Sequence, residues 1–294
     1  MKLFKICLMV VVGVLCSSSL LAAEKNKDTI YPVKDCGVKG DREGFSIVGF
    51  NNYPPFSWLE MDDGQERFRG FVPDFVRRTL NNMNIEVIKE RPFDDYAKIQ
   101  KALLHGKVDL SFVGHYIDET KSGQDYVYPA YFGNPLIVVS RASKRINVKD
   151  ASGLKGLKGV IRREEEIESL IAPILPTDTK LEVVDKTEEA FRKLLSGDAD
   201  FMITSPYAAD AEAKRFKIKD KLYFGTQALR HIKYFVSFSK MSPCRKYKKA
   251  FTEQFEPQIK DKAEIEKKLL EYIQIWADKY ADEPPLQYTP ADGE

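Results

Sequence analysis

The cysteines and histidines are the residues of this sequence whose types could serve metal binding or covalent chemistry. The chain contains four cysteines and three histidines: Cys7, Cys16, Cys36, Cys244, His105, His115 and His231. They form no CxxC pair, no HExxH motif and no Cys/His cluster, so the sequence gives no support for a metal site. No GxSxG segment or ordered Ser/His/Asp set indicates a hydrolase. We therefore expect no cofactor and no catalytic residue.

The N-terminus predicts an export signal over residues 1–23. Two lysines form a basic start, residues 6–15 form an apolar run, and small residues follow it. The alternative is an uncleaved membrane anchor, for which the apolar run is short. Cleavage would leave Cys36 and Cys244, which in an oxidising compartment form one disulfide or remain a pair of buried thiols.

The composition is that of a globular protein with a sizeable core. The 294 residues include 46 Lys or Arg and 44 Asp or Glu, and 43% are hydrophobic. Beyond the N-terminus no apolar run is long enough for a membrane span. The near-neutral charge argues against a nucleic-acid partner, which would favour a dense excess of Lys and Arg. The length favours two domains.

Two rounds of alternating strands and helices predict an α/β architecture with largely parallel sheets. The first round has strands at 45–50, 85–88 and 108–113 and helices at 73–82 and 96–103. The second has strands at 136–139, 159–161, 181–184 and 201–203 and helices at 164–171 and 190–195. A last strand at 234–238 precedes two C-terminal helices. Ser242 and Pro243 are typical of a helix start.

Short motifs, in a fixed order, identify a family. The first half contains YPPF at 53–56, GFVPDF at 70–75, GKVD at 106–109 and YPAY at 128–131. The second half contains GLKGLKGV at 153–160 and LLSGDAD at 194–200. With these motifs the chain, from about Gly44 to Tyr280, resembles the family 3 extracellular solute-binding proteins, the substrate-binding proteins of amino-acid ABC transporters.

The resemblance implies the two-lobed fold of type II periplasmic binding proteins, with two crossover hinge strands and C-terminal helices on the first lobe. After an extension at 24–43, the first lobe would comprise residues 44–133 and 232–294. The second lobe would comprise residues 134–231. A solute would bind in the cleft between the lobes and be enclosed by a hinge motion.

The resemblance also implies a set of ligand contacts: Tyr53, Phe93, Tyr116, Asp118, Lys121, Arg162 and Ser205. Tyr53 and Phe93 match two aromatic residues that pack on the ligand's side chain in the family. Three positions differ from the family's carboxylate-binding element. Tyr116 replaces a small hydroxyl residue, Asp118 a threonine and Lys121 an arginine.

These differences bear on the ligand. Lys121 offers a flexible point charge where the family has a planar fork that matches a carboxylate. Ser205 aligns with the acidic residue that usually receives the ligand's α-ammonium group. Arg162 lies in the turn that usually contains small and hydroxyl residues, although it could instead belong to a solvated helix start. We expect a small polar or charged solute other than a free α-amino acid held by the usual anchors.

The predicted function is a periplasmic binding protein that captures a small polar or charged solute for an ABC transporter permease, with no stable membrane insertion after signal cleavage. One alternative is a ligand-sensing or partner-docking protein that takes no part in transport. Another is an enzyme on the same fold that resembles cyclohexadienyl dehydratases. His115 is the histidine nearest the predicted cleft, but we interpret it as a loop histidine without a role in proton transfer.

Overall fold

The computed structural model describes residues 44–94, 96–115, 122–163 and 170–291. The strands are β1 (Phe45–Phe50), β2 (Asn52–Tyr53), β3 (Ser57–Asp62), β4 (Gln65–Arg69), β5 (Val87–Phe93), β6 (Leu110–Ser111), β7 (Gln124–Tyr126), β8 (Phe132–Arg141), β9 (Lys158–Arg162), β10 (Lys180–Val184), β11 (Phe201–Thr204), β12 (Leu222–Tyr234) and β13 (Ser237–Ser239). The α-helices are α1 (Phe71–Asn82), α2 (Tyr96–Leu104), α3 (Thr187–Ser196), α4 (Pro206–Arg215), α5 (Lys248–Ile259) and α6 (Lys262–Lys279).

The first lobe is built on a five-stranded sheet in the order β5-β1-β6-β13-β7. β1 runs parallel to β5 and β6, and all six of its residues are buried, as expected for a strand inside a parallel sheet. Helix α1 turns Phe75, Val76 and Leu80 into the core of this lobe. A small antiparallel sheet, β2-β3-β4, follows β1 directly and carries the YPPF turn.

The second lobe is built on a five-stranded sheet in the order β10-β9-β11-β8-β12. β9 is parallel to β10 and β11, whereas β8 is antiparallel to β11 and β12. Helix α3 buries Phe191, Leu194 and Leu195 against this sheet. It ends at Gly197, whose φ of 84° lies in the left-handed region that glycine adopts without a Cβ penalty.

Two long antiparallel strands connect the lobes. β8 pairs with β12 from Phe132 opposite Tyr234 to Arg141 opposite Leu222. Immediately before β8 the chain lies in the first lobe, and after β12 it re-enters the first sheet as β13. The two strands therefore form a paired hinge between the lobes, as the family resemblance implied.

Helix α4 packs between the lobes. Its Ala209 and Ala213 belong to the second-lobe core, whereas Ala211 packs against Trp58 of β3 and Trp276 of α6. The two indole rings lie 5.3 Å apart in an edge-to-face arrangement, which is the preferred geometry of aromatic pairs. We call this contact, formed by Trp58, Ala211, Ile273 and Trp276, the interlobe aromatic cluster.

The chain beyond α6 crosses to the second lobe. Leu286 is only 7% exposed and belongs to the second-lobe core, and its N–H donates to the carbonyl of Phe216 at 3.0 Å. Farther on, the N–H of Ala291 donates to the carbonyl of Leu195 at 3.2 Å. We call residues 281–291 the C-terminal strap. The segment expected in the first lobe thus ends against the second.

Arg215, the last residue of α4, joins the C-terminal strap to the interlobe aromatic cluster. Its guanidinium carbon lies 4.0 Å from the ring centre of Tyr280 and 5.6 Å from that of Trp276. The same group pairs with Glu283 at 3.2 Å and with the buried Glu212 at 3.5 Å. Cation–π contacts and ion pairs therefore converge where the lobes and the strap meet.

The predicted α/β fold is confirmed, and several boundaries differ from the expectation. The strand expected at 108–113 pairs only over β6, and the strand expected at 234–238 is the end of β12 plus β13. Both C-terminal helices are present, and the apolar stripe of α6 is buried. Ser242 caps a short 3-10 helix, Pro243–Tyr247, that leads into α5. The helix expected at 164–171 lies mostly outside the described residues.

Candidate functional site

The site residues expected from the sequence fall into two groups. Tyr116, Asp118 and Lys121 lie outside the described residues, as do residues 1–23 and Cys36. The other four follow or end strands at the carboxyl edges of the two sheets, where ligands bind in open α/β folds. They are Tyr53 after β1, Phe93 at the end of β5, Arg162 at the end of β9 and Ser205 after β11.

Tyr53 is held by the YPPF turn. The ring is 4% exposed, stacks on Phe56 at 5.2 Å and meets Phe50 edge-on at 6.1 Å. The N–H of Phe56 donates to the carbonyl of Tyr53 at 2.9 Å, which closes the turn. The ring is therefore fixed by packing, while its hydroxyl points toward the hinge strands.

Arg162 extends from the second lobe to the first. Its side chain is buried, with Nη1 donating to the hydroxyl of Thr187 at 3.2 Å and Nη2 donating to the carbonyl of Asn52 at 2.5 Å. The guanidinium carbon lies 5.5 Å from the ring centre of Tyr53. Asn52 and Tyr53 belong to the first lobe, so these contacts span the space between the two sheets.

Asn134 connects the hinge to both lobes. This residue of β8 is fully buried, and its Nδ2 donates to the hydroxyl of Tyr53 at 3.3 Å and to that of Tyr234 at 3.5 Å. Its Oδ1 accepts a hydrogen bond from the hydroxyl of Ser205 at 2.7 Å. A buried amide with three partners fixes the relative position of the groups around it.

These residues form one group, which we call the interlobe site: Asn52, Tyr53, Asn134, Arg162, Thr187 and Ser205. The structure therefore brings together three residues expected from the sequence. Phe93 is half-buried at the same sheet edge and packs on the first-lobe core, and its backbone pairs with Phe50. Sequence reasoning missed Asn52, Asn134 and Thr187. A polar Asn134 just before an apolar strand was the only available indication.

Glu212 is the buried carboxylate of α4. Burial raises the pKa of Glu212, against the opposing charges of Arg215 and Arg162.

His115 lies beside the hinge. Its backbone forms an isolated antiparallel bridge with Tyr234, and its ring lies 5.5 Å from that of Tyr96. Burial lowers the pKa of His115 below the usual value for imidazole, so the ring is neutral at pH 7. The hydroxyls of Tyr96 and Tyr126 both approach the His115 carbonyl at 3.4 Å. These contacts give the residue a structural place in the hinge.

Among the described residues, no group of three or more His, Cys, Asp or Glu side chains is arranged to hold a metal ion. Over the same ranges, none of the helices combines the length and apolar character that crossing a membrane requires. Cys244 is fully buried next to the first-lobe core.

Comparison with known families gives one match. The family described as bacterial extracellular solute-binding proteins, family 3, matches residues 46–261, which is well over half of the chain. Comparison with curated protein sequences gives no match. The family match covers both sheets, the hinge strands and α5.

Solved structures share the fold at low sequence identity. An amino acid ABC transporter substrate-binding protein, AbpA from Streptococcus pneumoniae Canada MDR_19A bound to L-arginine, is 17% identical with a TM-score of 0.63, over 79% of this chain and 95% of that one. The GluR0 ligand binding core in complex with L-glutamate is 13% identical with a TM-score of 0.63, over 81% and 100%. An ancestral amino acid-binding protein, AncCDT-1, a precursor of cyclohexadienyl dehydratase, is 20% identical with a TM-score of 0.58, over 80% and 94%.

Proposed function

Because the chain belongs to the family 3 bacterial extracellular solute-binding proteins, we propose that it captures a small polar or charged solute at the interlobe site and presents it to an ABC transporter. The observation that carries this proposal is the meeting of groups from both lobes and from the hinge at one place. Arg162 comes from the second lobe, Tyr53 from the first and Asn134 from the hinge strand β8. A solute bound there would favour the closed state by contacting both lobes.

The solute is polar and small, and it differs from a zwitterion held by the usual anchors. Ser205 in place of an acid removes one of the family's charge partners, and Lys121 in place of an arginine replaces a planar fork with a point charge. The Ser205 hydroxyl donates to Asn134, so its oxygen could accept from a ligand ammonium group, but it offers no negative charge to neutralise that group. A zwitterion with unmatched charges in a closed cleft would cost several kcal/mol. The related proteins are recorded with L-arginine and L-glutamate bound, which supports a solute of that size.

We extend the proposal to the cellular setting. Residues 1–23 direct export and are removed, the mature protein acts in the periplasm, and Cys36 pairs with Cys244 there. The permease of an ABC transporter is the partner. The hinge separates the lobes near residues 133 and 232, and we assign the C-terminal strap, residues 281–291, to the second lobe because Leu286 lies in its core.

Native mass spectrometry of the purified protein, followed by a thermal-shift screen, tests the proposal. A co-purified solute should appear as a discrete mass increment that is lost on denaturation. A solute that binds only the folded state raises the free energy of unfolding by about 2.7 kcal/mol at a hundredfold excess over Kd. The proposal is wrong if no small polar solute from a broad library shifts the melting temperature and no increment is found.

Catalysis is the second candidate, because one similar structure is an amino acid-binding protein described as a precursor of cyclohexadienyl dehydratase. We favour binding alone. The neutral His115 is engaged in the hinge, and the buried Glu212 faces Arg215 and Trp276. Incubation with prephenate or arogenate should give no decarboxylated aromatic product, whereas turnover that is lost in His115→Ala would establish the enzymatic alternative.

A ligand-sensing role without transport differs from the proposed function in the partner that the solute-loaded protein binds. The solute-loaded protein should stimulate ATP hydrolysis by a reconstituted permease and ATPase. Failure to stimulate any transporter of the host, together with binding to a sensor ectodomain, would favour the sensing role.

A further inference from the structure

Arg162 occupies the place beside Tyr53 where a solute's side chain would lie if the proposed function holds. From the contacts of its guanidinium group we infer that Asn52, Tyr53 and Thr187 form a guanidinium subsite that the chain fills with its own Arg162. The subsite is thereby closed to solutes that carry a guanidinium group. This inference rests on the proposed function only for its consequence for solute choice, since the contacts themselves need no solute.

Each partner of Arg162 suits a guanidinium group. The carbonyl of Asn52 accepts from Nη2, the hydroxyl of Thr187 accepts from Nη1, and the face of Tyr53 lies 5.5 Å from the guanidinium carbon. A planar, delocalised cation with several fixed donors can satisfy two acceptors and an aromatic face together. A lysine ammonium group carries the same charge but lacks the planar arrangement of several N–H donors. The set therefore selects guanidinium over other cations.

The subsite is interior and joins distant parts of the chain. Arg162 is 4% exposed and Tyr53 is 4% exposed, so bulk water does not compete strongly for these contacts. The hydrogen bond from Arg162 to Asn52 connects residues 110 positions apart in the sequence and in different lobes. This hydrogen bond thus connects the two lobes within the protein itself, in the way that a bound ligand would connect them.

The neighbouring Arg163 provides a matched comparison. It adjoins Arg162 in the sequence, but its side chain is 63% exposed and pairs with Asp185 at 2.7 Å on the surface. Removal of either arginine changes the net charge by the same amount. Only removal of Arg162 vacates a buried space lined by a carbonyl, a hydroxyl and an aromatic ring.

These features have two consequences. First, the native solute either lacks a guanidinium group or binds it elsewhere in the cleft. Second, part of the closed-state contact exists before a solute enters, so a solute must either add contacts to the closed form or displace the arginine. Removal of the side chain should convert the protein into a receptor for free guanidinium compounds.

Chemical rescue tests the inference. Arg162→Ala and Arg163→Ala would be melted with millimolar guanidinium chloride, and with sodium chloride at the same ionic strength. Guanidinium should raise the Tm of Arg162→Ala by about 3–6 °C at a tenfold excess over its Kd. It should leave wild type and Arg163→Ala unchanged or slightly less stable. Adding Tyr53→Leu to Arg162→Ala should abolish the rescue.

An equal response of Arg162→Ala and Arg163→Ala to guanidinium, or no response of either, would overturn the inference. If Arg162→Ala does not fold, arginine side-chain NMR of wild type provides the test. A guanidinium group held by the partners named above should give slowly rotating, separate Nη resonances that disappear in Arg162→Lys. Their absence in wild type would equally refute the subsite.

The outcome is separable from that of the proposed function. Rescue by guanidinium needs no natural solute, so it would persist even if wild type bound no solute and the proposed function failed. Conversely, solute binding by wild type without guanidinium rescue of the variant would refute the subsite alone.

Discussion

Replacement of Leu286 by alanine should destabilise the second lobe, although this residue lies 25 positions beyond the end of the family match at residue 261. Leu286 is 7% exposed and packs in the second-lobe core. Its backbone N–H holds the C-terminal strap to Phe216 at 3.0 Å. The side chain is therefore the main apolar anchor of the strap.

The expected loss of stability in Leu286→Ala follows from the burial of the leucine side chain. A fully buried Leu→Ala change costs about 2–5 kcal/mol of unfolding free energy. Because Leu286 is at the edge of the core on a terminal segment, which can relax, we expect the lower part of this range, about 2–3 kcal/mol. For a protein of this size the loss corresponds to a decrease in Tm of about 4–10 °C.

Leu270→Ala is the matched control. The same atoms are removed from a side chain that is 52% exposed on α6, and such surface changes stay within about 0.5 kcal/mol. Differential scanning calorimetry and urea denaturation followed by far-UV circular dichroism measure both variants. Equal midpoints for the two variants would refute the placement of the strap in the second-lobe core.

Three further perturbations test the contacts described above. Arg215→Met keeps an apolar stem but removes the cation and its ion pairs, so we expect the free energy of unfolding, measured by urea denaturation, to fall by about 1–3 kcal/mol. An unchanged denaturation midpoint would contradict the role given to this residue. Burial alone would raise the pKa of Asp125, but the hydrogen bonds and charges of Lys248 and Arg245 outweigh this effect and lower the pKa. The ionised carboxylate therefore contributes fully to the free energy of unfolding at pH 7, and this contribution is lost as the pH falls below about 4. The difference in free energy of unfolding between wild type and Asp125→Asn should therefore decrease from pH 7 to pH 3. An increase of this difference would contradict a lowered pKa for Asp125. Ser205→Ala removes a buried 2.7 Å hydrogen bond to the hinge amide and should cost about 1–2 kcal/mol and weaken solute binding, both measured by thermal shift with and without solute.

Much of the fold was predictable because its elements carry strong local patterns. β1, with apolar residues at four of its six positions, and the helically spaced apolar residues of α6 are each recognisable from a single stretch of sequence. Helix α4 was missed because four of its ten residues are alanine and the rest are mostly polar, which gives little apolar contrast. The small β2-β3-β4 sheet was missed because its strands are short and partly exposed.

The site was only partly predictable, because its contacts depend on residues far apart in the chain. Tyr53 and Arg162 were found by resemblance to family motifs. Their partners were not, since the hydrogen bond from Asn134 to Tyr53 joins positions 81 apart and none of the family motifs found in the sequence includes Asn134. The C-terminal strap was missed for another reason. Its prolines are typical of an irregular loop, and its attachment depends on Leu286 in the second-lobe core and on contacts of Glu283 and Ala291 with distant residues.

The interlobe aromatic cluster contains both tryptophans of the chain, Trp58 and Trp276. The tryptophan fluorescence of the whole protein therefore comes from one cluster, in which Ala211 of α4 packs on two first-lobe indoles. Separation of the lobes would hydrate both indoles at once and shift their emission to longer wavelength, whereas motion elsewhere would leave the spectrum unchanged. Tryptophan emission of the unlabelled native protein should therefore report lobe separation in a stopped-flow experiment.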